Sequence, residues 1–245
     1  MVAAKRWGFA LVSLVFLSLC IGVQACDNKA GFHRYVYKDQ EGKEAPYHVF
    51  VPQGYKGDKA YPLILFLHGA GETDNEKKLL QVGLPPAVKK KEKSFPFLVM
   101  VPMALTKGWQ ANGQNAQRAL AQLDEVKKKY KVDDKRIYLT GLSMGGFGTW
   151  SLAAAHPECW AAIVPICGGG NPKAADKIKN IPCWCFHGDA DAAVKVDLSR
   201  NMIKALKDAG GKPRYDEYPG IGHNSWDRAY GNPELYDWLL KHQLQ

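Results

Sequence analysis

The sequence has no low-complexity tract and no internal repeat at a fixed period, which excludes a solenoid and a disordered tail-like chain. It carries no zinc-finger, helix-turn-helix or RNA-binding signature, so nucleic acid is not expected as a partner. Metal-ligand pairs are scarce as well. Cys183-Trp184-Cys185 has Cys-x-Cys spacing, but no second pair at zinc spacing accompanies it, and buried thiols or a disulfide are expected instead. Acidic residues are in the minority, with 24 Asp and Glu against 33 Lys and Arg and a formal net charge of +9. A basic balance suits nucleic acid, anionic lipid or acidic polysaccharide. The lysines, however, gather as Lys89-Lys90-Lys91 and Lys127-Lys128-Lys129 within helical patterns, and read as solvated helix faces. What remains is ordinary for a soluble globular domain: 46% hydrophobic and 23% charged residues over 245 positions. That length buries one good core and is short for two.

The N-terminus reads as a targeting segment. Lys5 and Arg6 precede an apolar run over residues 7–23, and Val23-Gln24-Ala25 places short side chains where a signal peptidase cuts. Residues 1–25 are therefore expected to be a signal peptide and residues 26–245 a single domain, with a secreted or periplasmic destination. An uncleaved signal anchor is the other reading. Cleavage before Cys26 would leave that cysteine N-terminal and open to lipidation, the one expected route to a membrane, although Gln24 is unusual for such a signal. Cys26, Cys159, Cys167, Cys183 and Cys185 follow the segment; an odd number implies one modified cysteine or one free thiol.

Short β-type runs open the rest. Residues 33–38 and 46–51 alternate and read as an antiparallel hairpin at a sheet edge. Residues 61–67, 97–101, 136–140, 161–166 and 183–186 are continuously apolar, as strands covered on both faces are. Helical patterns lie between them at 116–130, 144–155 and 196–209, the last with Leu198, Met202, Ile203 and Leu206 on one stripe. A final helix starts at Asn232-Pro233 and runs to about His242. The alternation indicates one doubly wound α/β domain with a mostly parallel sheet. The longest insertion, residues 168–180, is too short for a cap domain, so an open site is expected.

The chemistry concentrates in Gly141-Leu142-Ser143-Met144-Gly145, a G-x-S-x-G motif set between an apolar strand and an apolar helix. A nucleophilic serine must project from a tight turn, and its glycine neighbours leave room for one. Serine needs a base, and the base an orienting carboxylate. His223 lies in a glycine-rich loop after the strand 214–218, on the rim where Ser143 is expected. His33, His48, His156 and His242 fall in positions that suit surface or packing roles. Within Cys185-Phe-His-Gly-Asp-Ala-Asp191, Asp191 is favoured as the carboxylate, and Asp189 suits a turn cap. An oxyanion hole needs two backbone amides. Met144 supplies one and Ala70, in His68-Gly69-Ala70-Gly71, the other, with His68 bracing the loop. Trp109 and Trp226 stand where they could touch substrate or simply pack. No metal and no organic cofactor is required.

Leu67-His-Gly-Ala-Gly71, Asp134-Lys-Arg-Ile-Tyr-Leu-Thr-Gly-Leu-Ser-Met-Gly-Gly146, His187-Gly-Asp-Ala-Asp191 and Gly222-His223 together resemble the α/β-hydrolase superfamily. The resemblance is to its small esterase branch: acyl-protein thioesterase-like carboxylesterases, polyhydroxybutyrate depolymerase-like proteins, and feruloyl or acetyl-xylan esterases. It implies an α/β-hydrolase fold without a cap, a Ser143-Asp191-His223 triad, amides of Ala70 and Met144 as oxyanion donors, and a small-molecule or polymer-linked ester as substrate. The stretch 140–157 is also similar to prolyl-oligopeptidase-type peptidases, but their propeller domain is absent. A serine peptidase is thus the second expectation, and a non-catalytic binding protein on the same fold the third.

Overall fold

The computed structural model describes residues 29–245. The expected signal peptide and the Cys26 anchor lie outside the described residues.

A strand sends alternate side chains to opposite faces, so an unbroken apolar run marks burial on both. In β3 (Tyr61–Leu67), Leu63, Leu65 and Leu67 join one buried cluster, and Ile64 and Phe66 join another. The two clusters are the two faces of one sheet. Before β3 come β1 (Gly31–Lys38) and β2 (Glu44–Val51), an antiparallel hairpin paired along its whole length. After it come α1 (Glu76–Leu79), α2 (Leu84–Lys90), β4 (Leu98–Pro102), α3 (Gln114–Lys129) and β5 (Val132–Leu142). Then follow α4 (Met144–Ala155), β6 (Ala162–Ile166), α5 (Ala175–Ile178) and β7 (Trp184–Gly188). The chain closes with α6 (Asp197–Asp208), β8 (Arg214–Tyr218), α7 (Trp226–Gly231) and α8 (Pro233–Leu240).

The eight strands are ordered β1-β2-β4-β3-β5-β6-β7-β8. β2 meets β4 antiparallel, and all pairs from β4 to β8 are parallel. α3, α4 and α6 cover one face; α2, α7 and α8 cover the other. The strand order reverses at β3, with β4 on one side of it and β5 on the other. Loops leaving the carboxyl ends of β3 and β5 therefore diverge and leave a crevice, where open α/β sheets place their ligands. The structure is an α/β-hydrolase arrangement. Residues 168–180 fold as a 3₁₀ turn and α5 against α6, and among the described residues no separate domain covers the crevice.

Two details differ from the expectations. β5 begins at Val132, ahead of its apolar half, because its early, half-exposed residues still bond to β3 at Tyr61. Leu198 is not on the buried stripe of α6; it is 39% exposed while Met202, Ile203 and Leu206 are buried. Its position in the first turn sets it beside Gly169 instead. Of the two expected states, Cys183 and Cys185 take that of buried thiols; Cys159 and Cys167 are free as well, so no disulfide forms among the described residues.

Candidate active site

β5 ends at Leu142 and α4 begins at Met144, which leaves Ser143 alone to make the turn. Its backbone sits at φ 52° and ψ −118°, a region costing a non-glycine residue on the order of 1–3 kcal/mol. The surroundings hold it there. Its amide donates to Ile166 O at 3.0 Å, and its carbonyl accepts from Phe147 N at 3.0 Å. The turn also needs backbone contact too close for side chains. A Cβ on Gly145 would lie 1.9 Å from Leu67 O, and one on Gly141 would lie 2.4 Å from Gly145 O.

Strand β8 and its following loop carry His223 to the same rim. His223 Nε2 lies 2.9 Å from Ser143 Oγ, and Nδ1 lies 2.7 Å from Asp191 Oδ2. Asp191 follows β7, and its Oδ1 accepts the amides of Ala193 and Val194, each at 2.8 Å. Burial alone would raise this carboxyl. The His223 hydrogen bond and the two amides outweigh it and hold the group below the ordinary carboxylate range. An ionised Asp191 takes the Nδ1 hydrogen of His223, which leaves Nε2 free to accept from the serine hydroxyl. Asp189 is elsewhere: its Oδ1 accepts the Gly220 amide at 2.7 Å and ties the β7 loop to the loop that carries His223.

Ala70 opens a 3₁₀ turn after β3, and Met144 is the first residue of α4. A helix's first amides lack partners within the helix. Ala70 and Met144 both line the cavity that Ser143 faces. His68 is buried beneath this loop; its Nε2 accepts from Ala104 N at 2.9 Å, and its Nδ1–H therefore donates to Gly69 O at 2.7 Å. Burial pushes the His68 imidazole down to about 4. Trp109 both packs and lines: its indole donates to His68 O at 3.1 Å, and it forms part of the cavity wall. Trp226 stands edge-on to the His223 ring at 5.3 Å between centroids, and is not part of the cavity lining.

The cavity measures about 710 Å³. Phe147 and Trp150 of α4, Ile178 of α5 and Met202 of α6 give it an apolar wall, and Lys107 and Gln110 stand among its polar groups. Sequence reasoning did not single out Phe147, which is 40% exposed although aromatic, nor the loop at Gly169 and Gly170. The Gly168-Gly169-Gly170 run was the available signal. Gly168 packs on Gly146 backbone so closely that a Cβ would lie 2.5 Å from its carbonyl carbon. Among the described residues, Cys167, Asp191 and His223 place potential metal-ligand atoms within 4.8 Å of one another. Their chemistry fits a metal poorly. Asp191 and His223 are engaged with each other, and burial pushes the Cys167 thiol up to about 12, away from the thiolate a metal takes.

The family model for the dienelactone hydrolase family matches residues 39–230, most of the chain. The chain belongs to the dienelactone hydrolase family. This member is 28% identical over 206 residues to a bifunctional acetylxylan esterase/xylanase of Neocallimastix patriciarum, an alignment covering 82% of this chain and 29% of that protein. It is 26% identical over 199 residues to feruloyl esterase D of Neurospora crassa, covering 75% of this chain and 67% of that one. The chain thus spans under a third of the first relative's length and two thirds of the second's. A thermostable esterase of solved structure superposes on this family member with a TM-score of 0.80 at 35% identity, over 86% of this chain and 63% of that one. A feruloyl esterase module from Clostridium thermocellum, solved with sinapinate, superposes with a TM-score of 0.66 at 20% identity, over 87% and 88% of the two chains, a likeness of fold.

Proposed function

We propose that the protein is a carboxylic-ester hydrolase that works through an acyl-enzyme on Ser143. The observation that carries this is the unbroken run from Ser143 Oγ to His223 to Asp191, at 2.9 and 2.7 Å, beside a cavity of about 710 Å³. Ser143 attacks the ester carbonyl as His223 Nε2 takes its proton. The amides of Ala70 and Met144 hold the oxyanion. His223 returns the proton to the leaving alcohol, and then activates the water that releases the acid. Asp191 keeps the imidazole in the tautomer that this exchange needs and stabilises its charged form.

The apolar wall of Trp109, Phe147, Trp150 and Met202 favours a bulky or aromatic acyl group. Together with the feruloyl and acetylxylan esterases among its relatives, it supports polymer-linked esters as substrates. The basic and apolar N-terminal pattern supports action outside the cytoplasm after export, with Cys26 as a lipid anchor in that case. The test is hydrolysis of p-nitrophenyl acetate, butyrate and palmitate, methyl ferulate and a chromogenic dipeptide amide, each beside Ser143→Ala. Serine-dependent ester cleavage is expected, lost on the order of 10⁶-fold in the variant. Cleavage of the amide alone would make the protein a peptidase. Failure of Ser143 to label with a fluorophosphonate would leave the fold without this chemistry.

A further inference from the structure

The mechanism above has no task for His187, yet this imidazole is fully buried against the triad. It stands on β7, and its Nε2 lies 3.2 Å from Asp191 Oδ2, the same oxygen that His223 engages. Nε2 also lies 3.0 Å from Val194 O. Both neighbours are acceptors, so Nε2 carries a hydrogen. The other nitrogen is held too: Nδ1 lies 2.7 Å from Ser199 Oγ, which lies 3.0 Å from Gly168 O in the loop behind Ser143. Burial pushes the His187 imidazole below its ordinary range. The Asp191 carboxylate thus receives four donors: two amides at Oδ1 and two imidazoles at Oδ2.

We propose that His187 is a positioning residue of the triad, whose Nε2–H fixes Asp191 Oδ2 and tempers the negative charge that Asp191 presents to His223. This rests on the serine-hydrolase reading above. A carboxylate oxygen with two imidazole donors can turn toward neither alone, so the His223 ring is aimed from a fixed point. Sharing the oxygen also weakens its pull on a protonated His223. Other charged groups face this cluster less directly. Glu217 of β8 lies opposite His187 in the sheet, but is paired with Arg200 of α6 and accepts from Tyr215. Asp197 is likewise bonded to Arg200, and Cys167 is a neutral thiol. His187 is therefore the imidazole that stands between Asp191 and the Ser199 tether.

The test uses the intact protein and p-nitrophenyl acetate. kcat, KM and the pH profile of kcat/KM are measured for wild type, His187→Gln, His187→Leu and Ser199→Ala, with a melting temperature for each. His187→Leu removes the donor, so kcat is expected to fall about tenfold to hundredfold while KM stays within about twofold. Its acid limb is expected to move to higher pH, because Asp191 then presents its undivided charge to His223. His187→Gln keeps an N–H at that reach and is expected to restore most of kcat and the original limb. Ser199→Ala frees the far side of the ring and should lower kcat by a smaller factor at unchanged KM; it carries the test if His187→Leu does not fold. An unchanged kcat and pH profile in His187→Leu or Ser199→Ala would overturn the proposal. So would equal losses in the Gln and Leu variants that follow melting temperature alone. Absence of Ser143-dependent turnover in the wild type is a separate result, and would remove the hydrolase reading along with this one.

Discussion

His68 shows how one buried side chain sets a pH limit on the whole site. Its Nε2 accepts an amide hydrogen and its Nδ1 donates to Gly69 O, an arrangement that only the neutral ring can make. Burial lowers its pKa from the ordinary 6.5 to about 4. The folded state therefore binds this proton less readily than the unfolded chain, and stability falls as pH drops below 6.5 and stops falling below about 4. Between pH 7 and 4.5 this residue alone accounts for a loss of about 2–3 kcal/mol. Urea unfolding at the two pH values measures it, and His68→Gln, whose amide oxygen can still accept from Ala104, is expected to flatten the difference. An equally steep pH dependence in that variant would assign the effect to other groups. Asp191 adds the same sign at lower pH, since its depressed carboxyl contributes stability that is lost as pH falls through its folded value.

At the scale of elements, the decisive unit is the β5–α4 turn, where three backbones meet at the closest spacing. Gly145→Ala must push Leu67 O away from its place, since the new Cβ would start 1.9 Å from it. Overpacking of this kind costs about 1–3 kcal/mol, occasionally more. The variant is expected to melt lower and to lose most of the proposed esterase activity through displacement of the β3 loop. Gly71→Ala, on the same loop but with nothing within 4 Å, is the control and should be close to neutral. Equal behaviour of the two would show that the turn tolerates the bulk. This turn was legible in the sequence because its chemistry is local: two glycines around a serine, after a β-type run and before an apolar helix. β3 to β7 were legible for the same reason, as unbroken apolar runs, β5 in its second half. The short helices α1, α5 and α7 were not, because four to six residues carry too little periodicity. Nor was the role of His187. Its partner Ser199 lies 12 residues away, and the Gly168 carbonyl to which Ser199 donates lies 31 residues from Ser199, separations that only the fold closes. Leu198 was misplaced because a helical stripe does not say where its first turn stops being covered.

Across the whole molecule, the two buried clusters share one sheet, so neither face can be lost alone. Each interior strand contributes side chains to both: Leu65 and Leu139 to one, Phe66 and Tyr138 to the other. Removing helices from one face would expose half of every strand and with it the backs of the residues holding the opposite layer. The site depends on both layers as well, since Ser143 hangs on β5 and α4 while His223 is carried by the loop between β8 and α7. A protein begun at residue 29 is accordingly expected to unfold in one cooperative step. Its tryptophans report on both faces, with Trp109, Trp150 and Trp160 in one cluster and Trp184 buried in the other. Fluorescence, helical circular dichroism and the proposed esterase activity should fall at the same urea concentration. Leu123→Ala, in the α3 layer, should cost about 2–5 kcal/mol and move all three midpoints together, although Trp184 and α8 lie across the sheet from it. A variant whose fluorescence midpoint moves while its activity midpoint stays would mean that the layers unfold separately, and that the site is held by less of the fold than the shared strands imply.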